Sequence, residues 1–586
     1  MPSQIQVRTA QADIYQQALS MGLAPILAQV LACRLHDFKG DLASIVHPAL
    51  SYIPAPSLLA DVDMAAHRLL KAIAKGEKIG VLTDYDVDGI TSHVVILHAF
   101  LDFFGVKNEN IFSFIGHRIH DGYGISHALV KRILSNTERP SLIITADCGS
   151  SDEERIALLK DAGIDVIVTD HHAIPVEGIP ISAYAVVNPT RADCSYPDTS
   201  IAGCMVAWLL MAHVRQTLID AEQISANVPK LVSLLDFVAL GTVADCVNLS
   251  SSAVNRAVVH AGLHILNRFH RPCWLAIREM LKKTDQSFDA QILAFQIGPR
   301  INARSRMADP YAALHYLLSE DDAEAMQYLQ CLDTDNQQRK AVEQAMVLQA
   351  IAQVEKSTQT ACSIAYLEDG HAGVQGIVAS RLVQKFGRPA VVLCPTKNAS
   401  QLTASARSIA GVHIRDVLQE VANKHDFLTR FGGHSGAAGL GFPLTHLPTF
   451  KLAFEDAVRT QIGEKELQPI IWSDGSLKTS FISLEVCEQL QDLQPYGREF
   501  EMPIFDGVFE VQSIKTMGKD GTHLSLQLER DQKIFRAVWF GALNQAGDAL
   551  PCQKGDKIHC AYQLNINDFR NVKQIQLMIE SAFVIH

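Results

Sequence analysis

Acidic residues follow short apolar runs at four separated places in the chain. Val81-Leu82-Thr83 leads into Asp84-Tyr85-Asp86-Val87-Asp88-Gly89, and Ile143-Ile144-Thr145-Ala146 into Asp147-Cys148-Gly149. Val166-Ile167-Val168-Thr169 leads into Asp170-His171-His172, and Gly241-Thr242-Val243-Ala244 into Asp245. An oxygen-rich donor set with one or two imidazoles suits Mn²⁺ or Mg²⁺ and, with them, the hydrolysis of phosphate esters. Three carboxylates within five residues repel one another unless a cation lies between them. Alternate residues of an extended chain point the same way, so Asp84, Asp86 and Asp88 are expected to share a direction. Taken singly each cluster has a plainer reading: Asp and Gly are common in turns, and a His pair can sit solvated in a loop.

These groups must be positioned by strands. A buried parallel strand reads as a continuous apolar run, and ligands of such sheets bind beyond the strands' carboxyl ends. The expected strands are residues 78–83, 110–115, 142–146, 165–169 and 184–187, with helical spacing between them, as at 91–104 and 151–162. That alternation predicts a doubly wound α/β domain. Residues 320–357, without Gly or Pro, predict one long connecting helix. A second, smaller α/β unit is expected over 358–462, with strands near 363–366 and 390–393, then a linker at 463–468. Alternation at Leu524, Leu526 and Leu528, and at Ile575, Leu577 and Ile579, predicts a small antiparallel β-barrel or sandwich over 470–586. The segment 1–45 is expected to be helical and the first domain to run over 46–319.

Four further runs carry donors for anions. Gly432-Gly433-His434-Ser435-Gly436-Ala437-Ala438-Gly439 is expected to bring backbone N–H groups, with a following helix N-terminus, close to a phosphate; tight packing is the competing reading. Gly373 to Arg381 is expected to open a helix, and Ser405-Ala406-Arg407-Ser408 offers hydroxyls and a guanidinium nearby. Gly298-Pro299-Arg300-Ile301-Asn302-Ala303-Arg304-Ser305-Arg306 holds three arginines, which fit either backbone-phosphate contact or a solvated turn.

The 586 residues are too many for a single core, and the 48% hydrophobic content is ordinary for globular domains. A net charge of −12 argues against a surface coated in positive charge, though not against a local basic channel. The 12 cysteines are scattered with no Cys-x-x-Cys, which argues against structural zinc and fits a reducing cytoplasm. No stretch is long and apolar enough for a membrane span, and the first residues lack the pattern of a secretory signal.

In this order the motifs resemble those of the DHH phosphoesterase superfamily and, within it, the RecJ single-stranded-DNA exonucleases. The resemblance runs from the Asp84–Gly89 stretch through Arg118-Ile119-His120-Asp121-Gly122-Tyr123-Gly124, Asp147-Cys148-Gly149, Asp170-His171-His172, Leu240 to Asp245, Gly298 to Ala303, the Gly373 run, Arg407-Ser408-Ile409, Gly432-Gly433-His434 and Asn567-Asp568-Phe569-Arg570. It implies an α/β DHH catalytic domain, a connecting helix, a DHH-associated domain and an OB-like barrel. It implies metal ligands at Asp86, Asp88, Asp147, His171 and Asp245, two Mn²⁺ or Mg²⁺ ions, Asp84 beside them, Asp170 in support and His172 on the scissile phosphate. Asp147, at a central strand end, is the expected bridging ligand. It implies a pocket for a 5′-terminal phosphate at Arg118, Ser405 and Arg407, further strand contacts at Arg300, Asn302 and Arg306, and His434 facing the metals across a narrow channel. The implied activity is release of 5′-mononucleotides from the 5′ end of single-stranded DNA in repair and recombination. Single-strand-binding protein and a helicase are implied as partners, and a monomer is expected. The chain departs from the family's usual pattern at Arg304-Ser305, at Ala404 and Ala406, and at Arg498-Glu499. Two other readings stay open: a phosphoesterase for very short oligonucleotides or cyclic dinucleotides, whose members lack the barrel, and a binding scaffold without catalysis.

Overall fold

A computed structural model describes the chain apart from residues 1–3, 37, 119–120, 284–285, 308–309, 397–399, 429, 464, 466, 544, 570–571 and 586. Ile119 and His120 of the second motif, Arg570 of the last, and Glu464 and Glu466 of the expected linker therefore lie outside the described residues. The chain divides into two compact units. One holds Leu35–Gln337 with Leu493–Glu501; the other holds Met1–Arg34, Gln338–Asp492 and Met502–His586. The N-terminal stretch differs from the helical segment expected. It opens on a strand, β1 (Gln4–Val7), before its helices Ala12–Ser20 and Pro25–Arg34.

The unit holding Leu35–Gln337 is built on five parallel strands: β2 (Ile79–Thr83), β3 (Ile111–Ile115), β4 (Leu142–Ala146), β5 (Asp165–Thr169) and β6 (Ala185–Val187). Their spatial order is β3-β2-β4-β5-β6. Every residue of β2 and β4 is buried, as an apolar run covered on both faces requires. One face packs Leu82, Ile143 and Val166 against Leu129, Ile133, Ile156 and Leu159 of the flanking helices. Helix α1 (Val87–His98) is buried over eleven of its residues and is apolar on nearly every side, the signature of a central helix. Helices α2 (Gly203–Asp220), α3 (Leu235–Ala244), α4 (Ala253–Leu266) and α5 (Gly298–Met307) follow. Helix α6 (Asp322–Glu355) is the long connector expected, and it begins in this unit and ends in the other.

The other unit contains β7 (Ser363–Tyr366), helix α7 (Gln375–Phe386), β8 (Ala390–Pro395), β9 (Gln401–Arg407), β10 (Arg430–Gly433) and β11 (Ala437–Pro443). These five strands form one sheet in the order β10-β11-β9-β8-β7, parallel only between β7 and β8. Met346, Ala350 and Val354 of α6 pack with Val378 and Leu382 of α7 on one side of it. Strand β12 (Ile470–Ser473) pairs in parallel with β1. The strands β13 (Phe505–Met517), β14 (His523–Arg530), β15 (Lys533–Trp539), β16 (Lys557–Phe569) and β17 (Val572–Val584) close into a barrel. Leu524, Leu526 and Leu528 point inward, as their spacing predicts. Arg34 is joined to Asp474 in this unit by a buried two-point ion pair, at 3.0 and 2.7 Å. All twelve cysteines are unpaired, and among the described residues no helix is long and apolar enough to cross a membrane.

Candidate metal centre

The register of the parallel sheet aligns its exits. Thr83, Ala146, Thr169 and Val187 stand side by side at the ends of β2, β4, β5 and β6. The next residues, Asp84, Asp147, Asp170 and Asn188, therefore leave the sheet along one edge. Asp147 takes the left-handed conformation, with φ of +59°. That is a region residues other than glycine rarely enter, although Asp tolerates it better than most.

The three acids of the first cluster do not share a direction through strand alternation, which corrects the extended geometry expected above. Asp84 ends the strand, Asp86 caps helix α1 and Asp88 lies in its first turn. The Asp86 carboxylate accepts from the backbone N–H groups of Asp88 and Gly89, the capping geometry that starts the helix. Gly89 is required there: a Cβ would stand 2.3 Å from the carbonyl oxygen of Asp84. Asp88 is held from the opposite side. Its two carboxylate oxygens accept from Gly203 N at 2.6 Å and Cys204 N at 2.8 Å, the first turn of α2, where the helix favours negative charge. Asp245 terminates α3.

Facing ligand atoms fall into sets within 4.8 Å of one another. Asp84, Asp86 and Asp147 make one, and Asp88, His171 and Asp245 a second that shares no residue with the first. Asp147, His171 and His172 make a third. His171 Nε2 lies 3.2 Å from Asp147, 3.6 Å from Asp245 and 3.8 Å from Asp88. Asp147 thus borders both disjoint sets. Three atoms here, Asp84 Oδ1, Asp147 Oδ1 and His171 Nε2, are buried without a hydrogen bond among the described residues. Buried polar atoms are nearly always partnered, so three orphans aimed into one space fit residues that hold cations.

The electrostatics agree. Burial pushes the carboxyls of Asp84, Asp88, Asp147 and Asp245 up, and neighbouring carboxylates push them further. For Asp147 those neighbours are Asp88, Asp86, Asp245 and Asp84. Divalent ions reverse that penalty. Burial holds His171 below its ordinary value and therefore neutral, the form that ligates.

Asp170 behaves differently. One of its oxygens accepts from His171 N, His172 N and His172 Nδ1, the other from Ser150 N. Burial would raise it, but these bonds and the two histidines hold it far below the carboxylate range. Burial lowers His172, yet its hydrogen bond to Asp170 and the surrounding acids lift it to about 9. Tyr123 braces the same ring through its hydroxyl at 2.9 Å, and Asn188 donates to the carbonyl of His172.

The remaining expected contacts are placed less uniformly. Arg118 stacks on Tyr85 at 4.2 Å, and its Nε is buried without a partner among the described residues. The run around Asn302 is helix α5 and not a turn. Arg300 is bonded to Asp333 at 2.8 Å and Arg304 to Asp335 at 3.0 Å, both on α6. Asn302 Oδ1 accepts from Val87 N at 3.2 Å, so the side chain fastens the start of α1. Arg306 lies on the same helix. In the other unit Ser405 and Arg407 alternate on β9. Arg407 reaches the start of α7, where a Cβ on Gly376 would stand 2.6 Å from its guanidinium. His434 sits in the turn between β10 and β11; the glycine-rich run is a hairpin that continues into β11, and the next α-helix starts only at Leu447, beyond that strand, a correction of the helix-dipole expectation.

Tyr123, within the motif that starts at Arg118, braces His172; residues the motifs do not reveal are Gly203 and Cys204, which grip Asp88, and Asn188, which holds His172. No local sequence signal marks Gly203, Cys204 or Asn188.

Comparisons place this geometry among known proteins. The family model described as DHH family, N-terminal domain, matches residues 78–242, that of the DHHA1 domain 359–460, and that of the RecJ OB domain 473–581. The single-stranded-DNA-specific exonuclease RecJ of Haemophilus influenzae is 33% identical over 90% of this chain and 91% of its own. The Escherichia coli protein of that name is 32% identical over the full length of both. The crystal structure of Thermus thermophilus RecJ with Mn²⁺ aligns with a TM-score of 0.78 at 25% identity, over 99% of this chain and 79% of that one.

Proposed function

The chain belongs to the RecJ family, and on that premise we propose that it hydrolyses single-stranded DNA from the 5′ end to 5′-mononucleotides, in repair and recombination. It is a metal-dependent, single-stranded-DNA-specific exonuclease using Mn²⁺ or Mg²⁺. The observation that carries the site assignment is the pair of disjoint ligand sets on one sheet edge, with three buried atoms between them left unpartnered among the described residues. Asp84, Asp86 and Asp147 would hold one ion, and Asp88, His171 and Asp245 the other, with Asp147 between them. Bound there, such ions lower the pKa of water and offset the charge of a phosphodiester.

The chain's own groups do the rest. Asp170, ionised, accepts a hydrogen bond from Nδ1 of His172 and fixes the ring, which leaves Nε2 to meet a phosphoryl oxygen and stabilise the charge that develops on it. Arg118 would bind a phosphate near Asp84, a reading supported by its Nε being buried without a partner among the described residues. Ser405, Arg407 and His434 would meet phosphates of the substrate. The closed barrel supports a long single strand over a dinucleotide as substrate. A cytoplasmic monomer working beside single-strand-binding protein and a helicase is the setting proposed.

Digestion of strands labelled at either end tests the reading. Early release of the 5′ label, abolished by chelator and restored by Mn²⁺, is expected. Early release of the 3′ label, or activity indifferent to chelator, contradicts it.

A further inference from the structure

Nine residues belong to the metal-bearing unit although their neighbours in sequence on both sides do not. Leu493–Glu501 lies between the helix Leu484–Gln491 and barrel strand β13, both assigned to the other unit, yet it packs within the unit of Leu35–Gln337.

Its contacts concentrate on the loop that leaves Asp245. The carbonyl of Arg498 accepts from Leu249 N at 3.1 Å, and Glu499 Oε2 accepts from Asn248 Nδ2 at 2.6 Å. Asn248 is three residues past Asp245, and its own side chain closes the turn by accepting from Ser250 N and Ser251 N. Beneath both strands of this contact sits Arg256, wholly buried and without an acidic partner among the described residues. It donates to Leu249 O on the loop, to Leu493 O and Pro495 O on the segment, and to Ile45 O. The ring of Phe500, also wholly buried, lies 4.6 Å from the guanidinium. A buried cation with no counter-charge is costly unless every donor is satisfied. Here three of the four bonds tie one loop to one distant segment, and the fourth goes to Ile45.

We propose that Leu493–Glu501 is a staple that positions Asp245, with Glu499 as its positioning residue, so that the metal site is completed by chain lying some 250 residues beyond its last ligand in sequence. The proposal rests on Asp245 facing a metal ion.

The test is Mn²⁺ binding by full-length protein, measured by titration calorimetry, for wild type, Glu499→Ala, Glu499→Gln and Asp245→Asn. Outer-shell partners of metal ligands are worth about 10–100-fold in affinity, and this contact lies further out on a half-exposed side chain. Glu499→Ala is therefore expected to bind about threefold to tenfold more weakly, with activity restored by raised Mn²⁺. Glu499→Gln keeps an oxygen for Asn248 and is expected to bind as wild type does. Unchanged affinity in Glu499→Ala overturns the staple, as does an equal loss in Glu499→Gln, which would make the residue a charge and not a positioning group. If Asp245→Asn binds Mn²⁺ like wild type, the metal reading of Asp245 itself fails. If Asp245→Asn binds weakly while Glu499→Ala does not, the staple alone fails.

Discussion

Replacing Gly203 by alanine should disable the site while sparing the fold. Gly203 opens α2, and its N–H holds Asp88. A Cβ there would lie 2.8 Å from the Cβ of Asp147 and 3.0 Å from both its Cα and Asp88 Oδ2, where real Cβ atoms essentially never come within 3.0 Å. Neither neighbour can yield cheaply. Asp147 is confined to a left-handed backbone, and Asp88 is bonded to two successive amides. Relief must come from the helix start backing away or from two carboxylates turning, at about 1–3 kcal/mol by the usual cost of overpacking. Displacing a reacting group by about 1 Å lowers rates by about 10²-fold, so kcat/KM on a 5′-labelled single strand should fall by about that factor. Mn²⁺ should also raise the melting temperature of wild type by more than that of the variant, because the ion relieves repulsion only where the acids converge. Wild-type turnover at the same Mn²⁺ concentration would refute the placement of Asp88 and Asp147 around one centre.

Two more outcomes follow from neighbouring contacts. Asn302→Ala removes the acceptor of Val87 N and leaves a largely buried donor unpaired, at about 1–3 kcal/mol; turnover should fall further than strand affinity measured by fluorescence anisotropy, and an equal loss in both would make Asn302 a strand contact instead. Away from the site, burial raises Glu77, but hydrogen bonds from Ser141 and Arg68 outweigh it and hold the carboxyl below its ordinary value. A depressed acid stabilises the fold above its unfolded pKa and loses that contribution as pH falls through the folded value. Glu77→Gln should therefore flatten the acid limb of a stability-against-pH curve and leave its slope near neutrality unchanged; an unaltered acid limb would refute the pairing.

The strands that carry the site were readable because a strand buried on both faces cannot alternate, and Ile143-Ile144 or Val166-Ile167-Val168 leaves few other structures. The acids were readable because each follows such a run. What escaped was geometry set by later chain. Whether Asp86 continues a strand or caps a helix depends on Gly89 passing close to Asp84, and a spacing of two cannot express it. The arginines of α5 read equally as solvated or strand-facing until Asp333 and Asp335, some thirty residues on, arrive with counter-charges. The run at Gly432 lacks side chains to set a period, and only the pairing of Gly432 with Gly439 makes it a hairpin. Gly203 carries no motif because its role is to be small beside a carboxylate that precedes it by 115 residues.

The left-handed turn at Asp147 and the scatter of ligands from Asp84 to Asp245 bear on how the protein matures. The set Asp84, Asp86 and Asp147 exists only once β4 stands beside β2, and the set Asp88, His171 and Asp245 draws on residues spread over more than 150 positions. Metal capture is therefore expected to follow assembly of the sheet, with the unfolded chain binding Mn²⁺ far more weakly than the folded protein. The buried acids work against that assembly until ions arrive, since like charges brought together in a low dielectric favour separation. Nuclease activity is in this way gated by folding order: a partly made chain has neither the ions nor the edge on which to cut.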